Sequence, residues 1–224
     1  MIDKLRRVLQ VLPHYRKSYA LHDLDLKLIP YLNFRNGYFV EVGANDGVNQ
    51  SNTLYFEKYM GWNGLLIEAI PALAKQCQLN RPRCIVENCA LVAFDYPAQT
   101  VEMRYCNLMS VVRGAIDNEE QHIQSGKRFL RENEQIYSVV VAARPLSEVL
   151  HQYKIRHIDF MSLDVEGYEE QVLRGIDFAQ HSPDFMLIEV RCQERIDSII
   201  GNYYKMAAVL NVTDTYSDIL YKRK

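Results

Sequence analysis

Short apolar runs alternate with amphipathic stretches along the chain. Tyr38-Phe39-Val40-Glu41-Val42 reads as a buried strand that stops at Gly43. Four more buried strands are predicted at Gly64–Glu68, Cys84–Glu87, Ile158–Asp164 and Phe185–Val190. Helical spacing of apolar residues predicts helices at about 52–60, 71–79, 145–153, 169–174 and 198–205. The tail, 206–212 and 217–221, predicts a terminal antiparallel pair. Before the first strand, Ile2, Leu5, Val8, Leu9 and Leu12 recur at helical spacing. Residues 22–33 predict a second helix, capped near His22 and Asp23 and closed before the turn Asn36-Gly37. Residues 92–107 alternate loosely, as in an extended, hairpin-like excursion, and 138–143 are extended again. Between them, 114–135 are polar with few apolar anchors, which predicts a solvated helix or lid outside the core. Strands alternating with helices mean an α/β fold with a mostly parallel sheet covered on both faces. The expected organisation is an N-terminal helical appendage over 1–36 and one domain over 37–224, with a lid-like insertion at about 107–137.

Composition narrows the class. At 224 residues the chain can bury a full core without staples. Lys and Arg total 26 against 28 Asp and Glu, a net charge of −2, which disfavours nucleic acid as partner. The five cysteines are odd in number and form no C-x-x-C pair, so a zinc framework or disulfide scaffold is not expected. Reduced thiols fit a cytoplasmic protein. The N-terminal apolar run from Val8 to Leu12 is broken by Gln10 and followed by Pro13, too short and polar for a signal peptide. No apolar run reaches the length of a membrane span, so stable membrane insertion is not expected.

Ligands of parallel sheets sit at the carboxyl ends of the strands. Here those ends carry Glu41, Glu68, Glu87-Asn88, Asp164-x-Glu166 and Glu189. Buried carboxylates are costly unless paired or ligand-bound. After the first strand, Gly43-Ala44-Asn45-Asp46-Gly47 permits a tight turn and close backbone approach, and Ser51-Asn52-Thr53 opens the next helix. Glu68 follows at about 20 residues, the spacing of an acid that accepts ribose hydroxyls. A pyrophosphate cofactor prefers a glycine where Asn45 stands and would meet negative charge at Asp46. Glu41, two residues before the first glycine, suits a ligand with a positive amino group. S-adenosylmethionine, with a sulfonium, an ammonium and no phosphate, therefore fits better than NAD. The rival readings are a dinucleotide-dependent oxidoreductase, which Asn45 and Asp46 oppose, and a non-catalytic adaptor, which the intact strand-end acids oppose.

Three blocks carry a resemblance. They are Val42–Gly47 with Ser51-Asn52-Thr53, then Gly61-Trp62-x-Gly64-Leu65-Leu66-Ile67-Glu68, then Ile158-Asp159-Phe160-x-x-Leu163-Asp164-Val165-Glu166-Gly167-x-Glu169. Their order and spacing resemble the FkbM-type methyltransferases over roughly residues 37–222. The resemblance implies a class I, seven-stranded Rossmann-like fold and S-adenosylmethionine-dependent O-methylation. The implied acceptor is a hydroxyl of a sugar, glycan or natural product. The expected donor-binding set is Glu41, Gly43, Ala44, Asn45, Asp46, Gly47, Ser51, Asn52, Thr53, Glu68, Ala69, Asn88 and Asp164.

Asp164, Glu166 and Glu189 end adjacent strands and are expected to converge at the methyl-transfer end. One of them can take the acceptor's proton. Three carboxylates also suit a hard divalent cation. Alternatively, Asp164 orients the cofactor's methionine end, while Glu166 and Glu169 cap the following helix. The latter is favoured, because metal-dependent relatives carry a second ligand beside the fifth-strand acid and Val190 stands there. His122, in the polar segment, is a general-base candidate by its ordinary pKa; the alternative is a solvated histidine. Tyr55, Tyr59, Tyr105 and Tyr168 are candidates to line a sugar site or simply to pack, and Trp62 is expected in the core.

Overall fold

A computed structural model describes residues 17–224, so the helix expected over 2–12 lies outside the described residues. The strands are β1 (Tyr38–Val42), β2 (Asn63–Ile67), β3 (Ile85–Glu87), β4 (Ala90–Leu91), β5 (Thr100–Tyr105), β6 (Val111–Val112), β7 (Tyr137–Arg144), β8 (Phe160–Leu163), β9 (Phe185–Val190), β10 (Tyr204–Val212) and β11 (Ser217–Arg223). Seven of them form one sheet in the order β3-β2-β1-β8-β9-β11-β10. β1 pairs in parallel with both β2 and β8, and β8 with β9. β11 runs antiparallel between β9 and β10, the expected terminal pair. This is the expected α/β fold with a mostly parallel, seven-stranded sheet.

The two-residue period of the strands divides the core cleanly. Val40 and Val42, Leu65 and Ile67, Met161 and Leu163, Met186 and Ile188 face one side. Phe39, Leu66, Phe160 and Leu187 face the other, where they meet Leu24, Leu28 and Leu32 from the N-terminal segment and Phe56 and Trp62. Each such side chain contributes about 1.5–3 kcal/mol of burial. Truncating Phe160, which packs on Phe56 at 6.3 Å, costs about 3–5 kcal/mol. Trp62 is fully buried, as expected, and donates its indole N–H to the Phe34 carbonyl.

Three elements differ from expectation. The helix over 22–33 is a single-turn 3-10 segment, Leu21–Asp23, followed by a helix of one turn and a half, Leu24–Leu28. His22 and Asp23 break it with φ of 53° and 56°. Buried Asp25 accepts from Ser18 Oγ and the Tyr19 N–H, folding the chain back before the helix starts. The helix expected at 198–205 lies earlier, at Gln193–Ile200, because Tyr204 already begins β10. The extended stretches 92–107 and 138–143 pair with each other: β5 and β7 are antiparallel partners in a second, four-stranded sheet, β4-β7-β5-β6. Tyr105 and Tyr137 stack at 4.7 Å where that pair opens. Residues 107–136 are thus the long connection of a hairpin. That connection is not wholly solvated, because Ile123 is fully buried against Cys106 and Val111 in a core of its own. Among the described residues, no helix is long and apolar enough to cross a membrane.

Candidate functional site

A cavity of about 1140 Å³ opens over the carboxyl ends of β1, β2, β8 and β9, roofed by residues of the β5–β7 connection. Its floor requires Gly43. That residue has φ of 83°, and a Cβ there would stand 1.9 Å from the Asp164 carbonyl oxygen. The turn after β1 and the end of β8 therefore touch backbone to backbone, a contact that only glycine allows.

On the β2 side, Glu68 Oε2 accepts the Asn45 N–H and Oε1 the Ile70 N–H, each at 2.8 Å. Asn45 sits at φ 49°, which directs its N–H to the carboxylate. Burial pushes Glu68 up to about 7, against the pull of these backbone donors. Asn88 donates to the carbonyls of Glu68 and Ala69, which holds the strand end in place. Gly43, Asn45, Asn52, Glu68 and Ala69 line the cavity. Asn52 donates to Ser162 Oγ at 2.9 Å, while its Oδ1 is buried without a partner, the residue being only 8 % exposed.

Apart from Asp164, the remaining residues of the expected donor set stand behind the cavity wall. Glu41 does not face a ligand amine. It accepts from Ser51 Oγ, Thr53 Oγ1 and the Asn52 N–H, and Arg81 lies 3.8 Å away. Ser51 and Thr53 are consumed in that array. Asp46 caps its own turn through the N–H groups of Val48 and Asn49 and pairs with Arg131 at 3.0 Å. Ala44, Gly47 and Asn88 likewise shape the turn without lining the cavity. The organiser that sequence reasoning missed is Arg81. Fully buried, it pairs with Glu57 and donates to the Gly47 carbonyl, Ser51 Oγ and Thr53 Oγ1. Three buried donors on one acid and one buried arginine were the signal: such a set satisfies itself.

On the β8–β9 side the expected acids do converge. Asp164, Glu166, Glu189 and His122 all line the cavity. Carboxylate oxygens of Asp164, Glu169 and Glu189 lie within 4.8 Å of one another. Burial, then mutual repulsion, pushes Asp164, Glu166 and Glu189 well above the ordinary carboxylate range. Arg191, also missed from sequence, opposes this. It contacts Glu166 Oε2 at 2.8 Å and Glu189 Oε1 at 3.0 Å. Asp164 is surrounded by protein on the cavity wall, yet its side chain is the one of this group that opens into the cavity space. The helix-capping expectation holds for Glu169, whose Oε1 accepts the Val165 and Gly167 N–H groups, but not for Glu166, which goes to Arg191. His122 is not a solvated surface group. Its side chain is 8 % exposed, with Nε2 at 3.2 Å from the Met109 carbonyl and 3.7 Å from Glu166. Burial and Arg191 hold its pKa below the ordinary value. Of the four tyrosines, Tyr168 lines the cavity, whereas Tyr55, Tyr59 and Tyr105 pack in the interior.

A family model described as the methyltransferase FkbM domain matches residues 41–203. Among solved structures, a methyltransferase FkbM from Methylobacillus flagellatus KT superposes with a TM-score of 0.50 and 15% identity. The match covers 84% of this chain but 43% of that one, so this chain spans less than half of its length. A precorrin-6y C5,15-methyltransferase from Geobacter metallireducens GS-15 matches at 10% identity and a TM-score of 0.49, covering 95% of this chain and 94% of that one. A TehB-like SAM-dependent methyltransferase from Corynebacterium glutamicum matches at 11% identity and a TM-score of 0.46, covering 90% and 88%. No curated protein matches the chain by sequence.

Proposed function

The chain belongs to the FkbM methyltransferase family, and from that premise we propose that it is an S-adenosylmethionine-dependent O-methyltransferase acting on a hydroxyl of a sugar, glycan or related natural product. The observation that carries this reading is the polarity of one cavity. At one end is a fixed acid for a ribose beside a glycine turn; at the other is a crowded carboxylate group suited to take a hydroxyl proton.

The cavity's residues fit the donor. Buried Asn52 Oδ1 lacks a hydrogen bond that an amine would supply. When bound, S-adenosylmethionine supplies a methyl group activated by its sulfonium. Glu68, locked by two backbone N–H groups, accepts the ribose hydroxyls with its remaining lone pairs. Asp164 takes the proton from the acceptor hydroxyl at its carboxylate oxygen, since Arg191 is spent on Glu166 and Glu189. A base whose pKa is raised toward the working pH is the efficient one. His122 keeps its Nε2 proton on the Met109 carbonyl and backs Glu166. Holding the hydroxyl in line supplies several kcal/mol of rate. Residues 107–137 act as the cover of the acceptor side. A cytoplasmic setting goes with this reading, since Cys77, Cys89 and Cys106 are buried free thiols.

A second reading is favoured by the spacing of Asp164, Glu169 and Glu189: a divalent cation that activates the hydroxyl. The residues fit it less well, because Glu169 Oε1 already holds two N–H groups and a guanidinium stands on Glu189. Transfer of labelled methyl from S-adenosylmethionine to extracted glycans and lipids, read by mass spectrometry, tests the function. An O-methylated product unaffected by chelator is expected. Label on nitrogen or carbon would overturn O-methylation, and turnover lost to chelator and restored by Mg²⁺ would install the metal.

A further inference from the structure

The cavity is longer than its donor half. Between the ends of β2 and β11 lie four strand spacings, about 19 Å in all. Glu68 marks one limit. The other is lined by His22 and Gln50 on one wall and by Thr215, Tyr216 and Asp218 on the other. Neither wall has been given a role above.

Both walls are built. His22 and Gln50 hold φ of 53° and 58°, a conformation that costs an L-residue energy and persists only when its surroundings fix it. A β-bridge between Ala20 and Gln50 ties the two segments together. Opposite, β11 pairs with β9 so that Asp218 stands across from Glu189. Asp218 is buried, and Asn211 donates to its Oδ2 at 2.9 Å. Burial raises its carboxyl above the ordinary range, while that hydrogen bond and the charges of His22 and Lys27 draw it down. Tyr216 feels Glu189, Asp218, Asp164 and Glu166, so it stands where the two groups of acids meet. The guanidinium of Arg191 goes to Glu166 and Glu189, and among the described residues no arginine or lysine is paired with Asp164.

We propose that this β11 end is the acceptor subsite, that His22 and Asp218 determine which acceptor enters, and that it admits hydroxyl compounds that are neutral or cationic and rejects anionic ones. An anion at this end would meet Asp164, Glu189 and Asp218, while among the described arginines of the cavity Arg191 is held by Glu166 and Glu189, Arg195 by Glu170, and Arg128 belongs to the roof, and like charges so placed are strongly disfavoured. The tyrosine face and the mixed donors of His22, Gln50 and Thr215 suit a hydroxyl-rich molecule.

This inference rests on the methyltransferase reading, and one experiment separates the two. The protein is saturated with S-adenosylhomocysteine, with its binding followed by calorimetry. Three matched probes are then titrated by saturation-transfer NMR: methyl glucoside, methyl glucosaminide and methyl glucuronide. The first two should bind, and the glucuronide at least about tenfold more weakly. Asp218→Asn should narrow that gap several-fold. His22→Asn, which tolerates the left-handed backbone, should weaken the two bound probes with the affinity for S-adenosylhomocysteine unchanged. Glucuronide binding as tightly as the glucoside overturns the proposal. So does a gap unmoved in a folded Asp218→Asn protein, or a donor-loaded protein that binds none of the probes. The wild-type comparison decides the matter even where a variant fails to fold. Failure to bind S-adenosylhomocysteine would instead sink the methyltransferase reading beneath it.

Discussion

The two ends of the cavity hold acids in opposite ways. At the β2 end one carboxylate, Glu68, receives one backbone N–H on each oxygen. At the β8–β9 end several carboxylates share one guanidinium and repel one another. The first arrangement fixes a direction and suits recognition of a rigid ligand part. The second stores electrostatic tension, which a proton, a cation or a positively charged ligand relieves. Binding and chemistry are thus separated along a single sheet edge.

The largest effect that sharpens this contrast is on turnover. Asp164→Asn should cut methyl transfer by about 100-fold or more, the scale of a lost acid–base group. Because it removes a repelled charge, the melting temperature should hold or rise. A folded variant with near-normal turnover would show that the crowded end is structural. Next comes donor affinity. Glu68→Ala should weaken S-adenosylmethionine binding by about 1–3 kcal/mol in calorimetry, because it removes charged hydrogen-bond acceptors. Unchanged affinity would take Glu68 out of the site.

A third test uses pH on the same acid. Its ordinary value is 4.5, and in the folded, ligand-free protein it stands at about 7. Between those values the folded state binds more protons than the unfolded state, so Glu68's contribution to stability falls as pH rises through this window. Ribose hydroxyls donate to the ionised form, so donor affinity should fall about tenfold per unit as pH drops below the raised value. Calorimetric titration from pH 5 to 8 with wild type and Glu68→Gln checks it; identical slopes would break the assignment. The smallest expected effect is in hydrogen exchange over residues 107–137. The buried Ile123 and the Arg131–Asp46 pair should give these residues intermediate protection that rises with donor and acceptor. Core-level protection in the free protein would remove the cover.

Much of this was legible from one sequence, and the rest was not for identifiable reasons. Strands buried on both faces announce themselves as apolar runs, and carboxylates at their ends cluster because parallel strands end on one edge. Hence Glu68, Asp164, Glu166 and Glu189 were found. Arg81 and Arg191 were missed, because a cation's partner is set by tertiary contact and not by local pattern. Glu41 was misassigned for the same reason: spacing showed an acid before a glycine but not the donors of Ser51, Asn52 and Thr53 turned toward it. The pairing of β5 with β7 spans a long connection, beyond the reach of any short-range turn signal. The solvated alternative for His122 followed from its polar helix, which buried Ile123 holds against Cys106 and Val111.

The buried Arg81 has a consequence for assembly. The loop that shapes the donor end draws its anchor from beyond the helix Pro71–Asn80, through bonds to Gly47, Ser51 and Thr53. The turn at Asp46 closes on Val48 and Asn49 locally, but the ties of the loop to Arg81 do not form within it. During synthesis it must wait until residue 81 has emerged and docked. A chain cut between the loop and Arg81 would carry the glycine motif intact and still have no donor site.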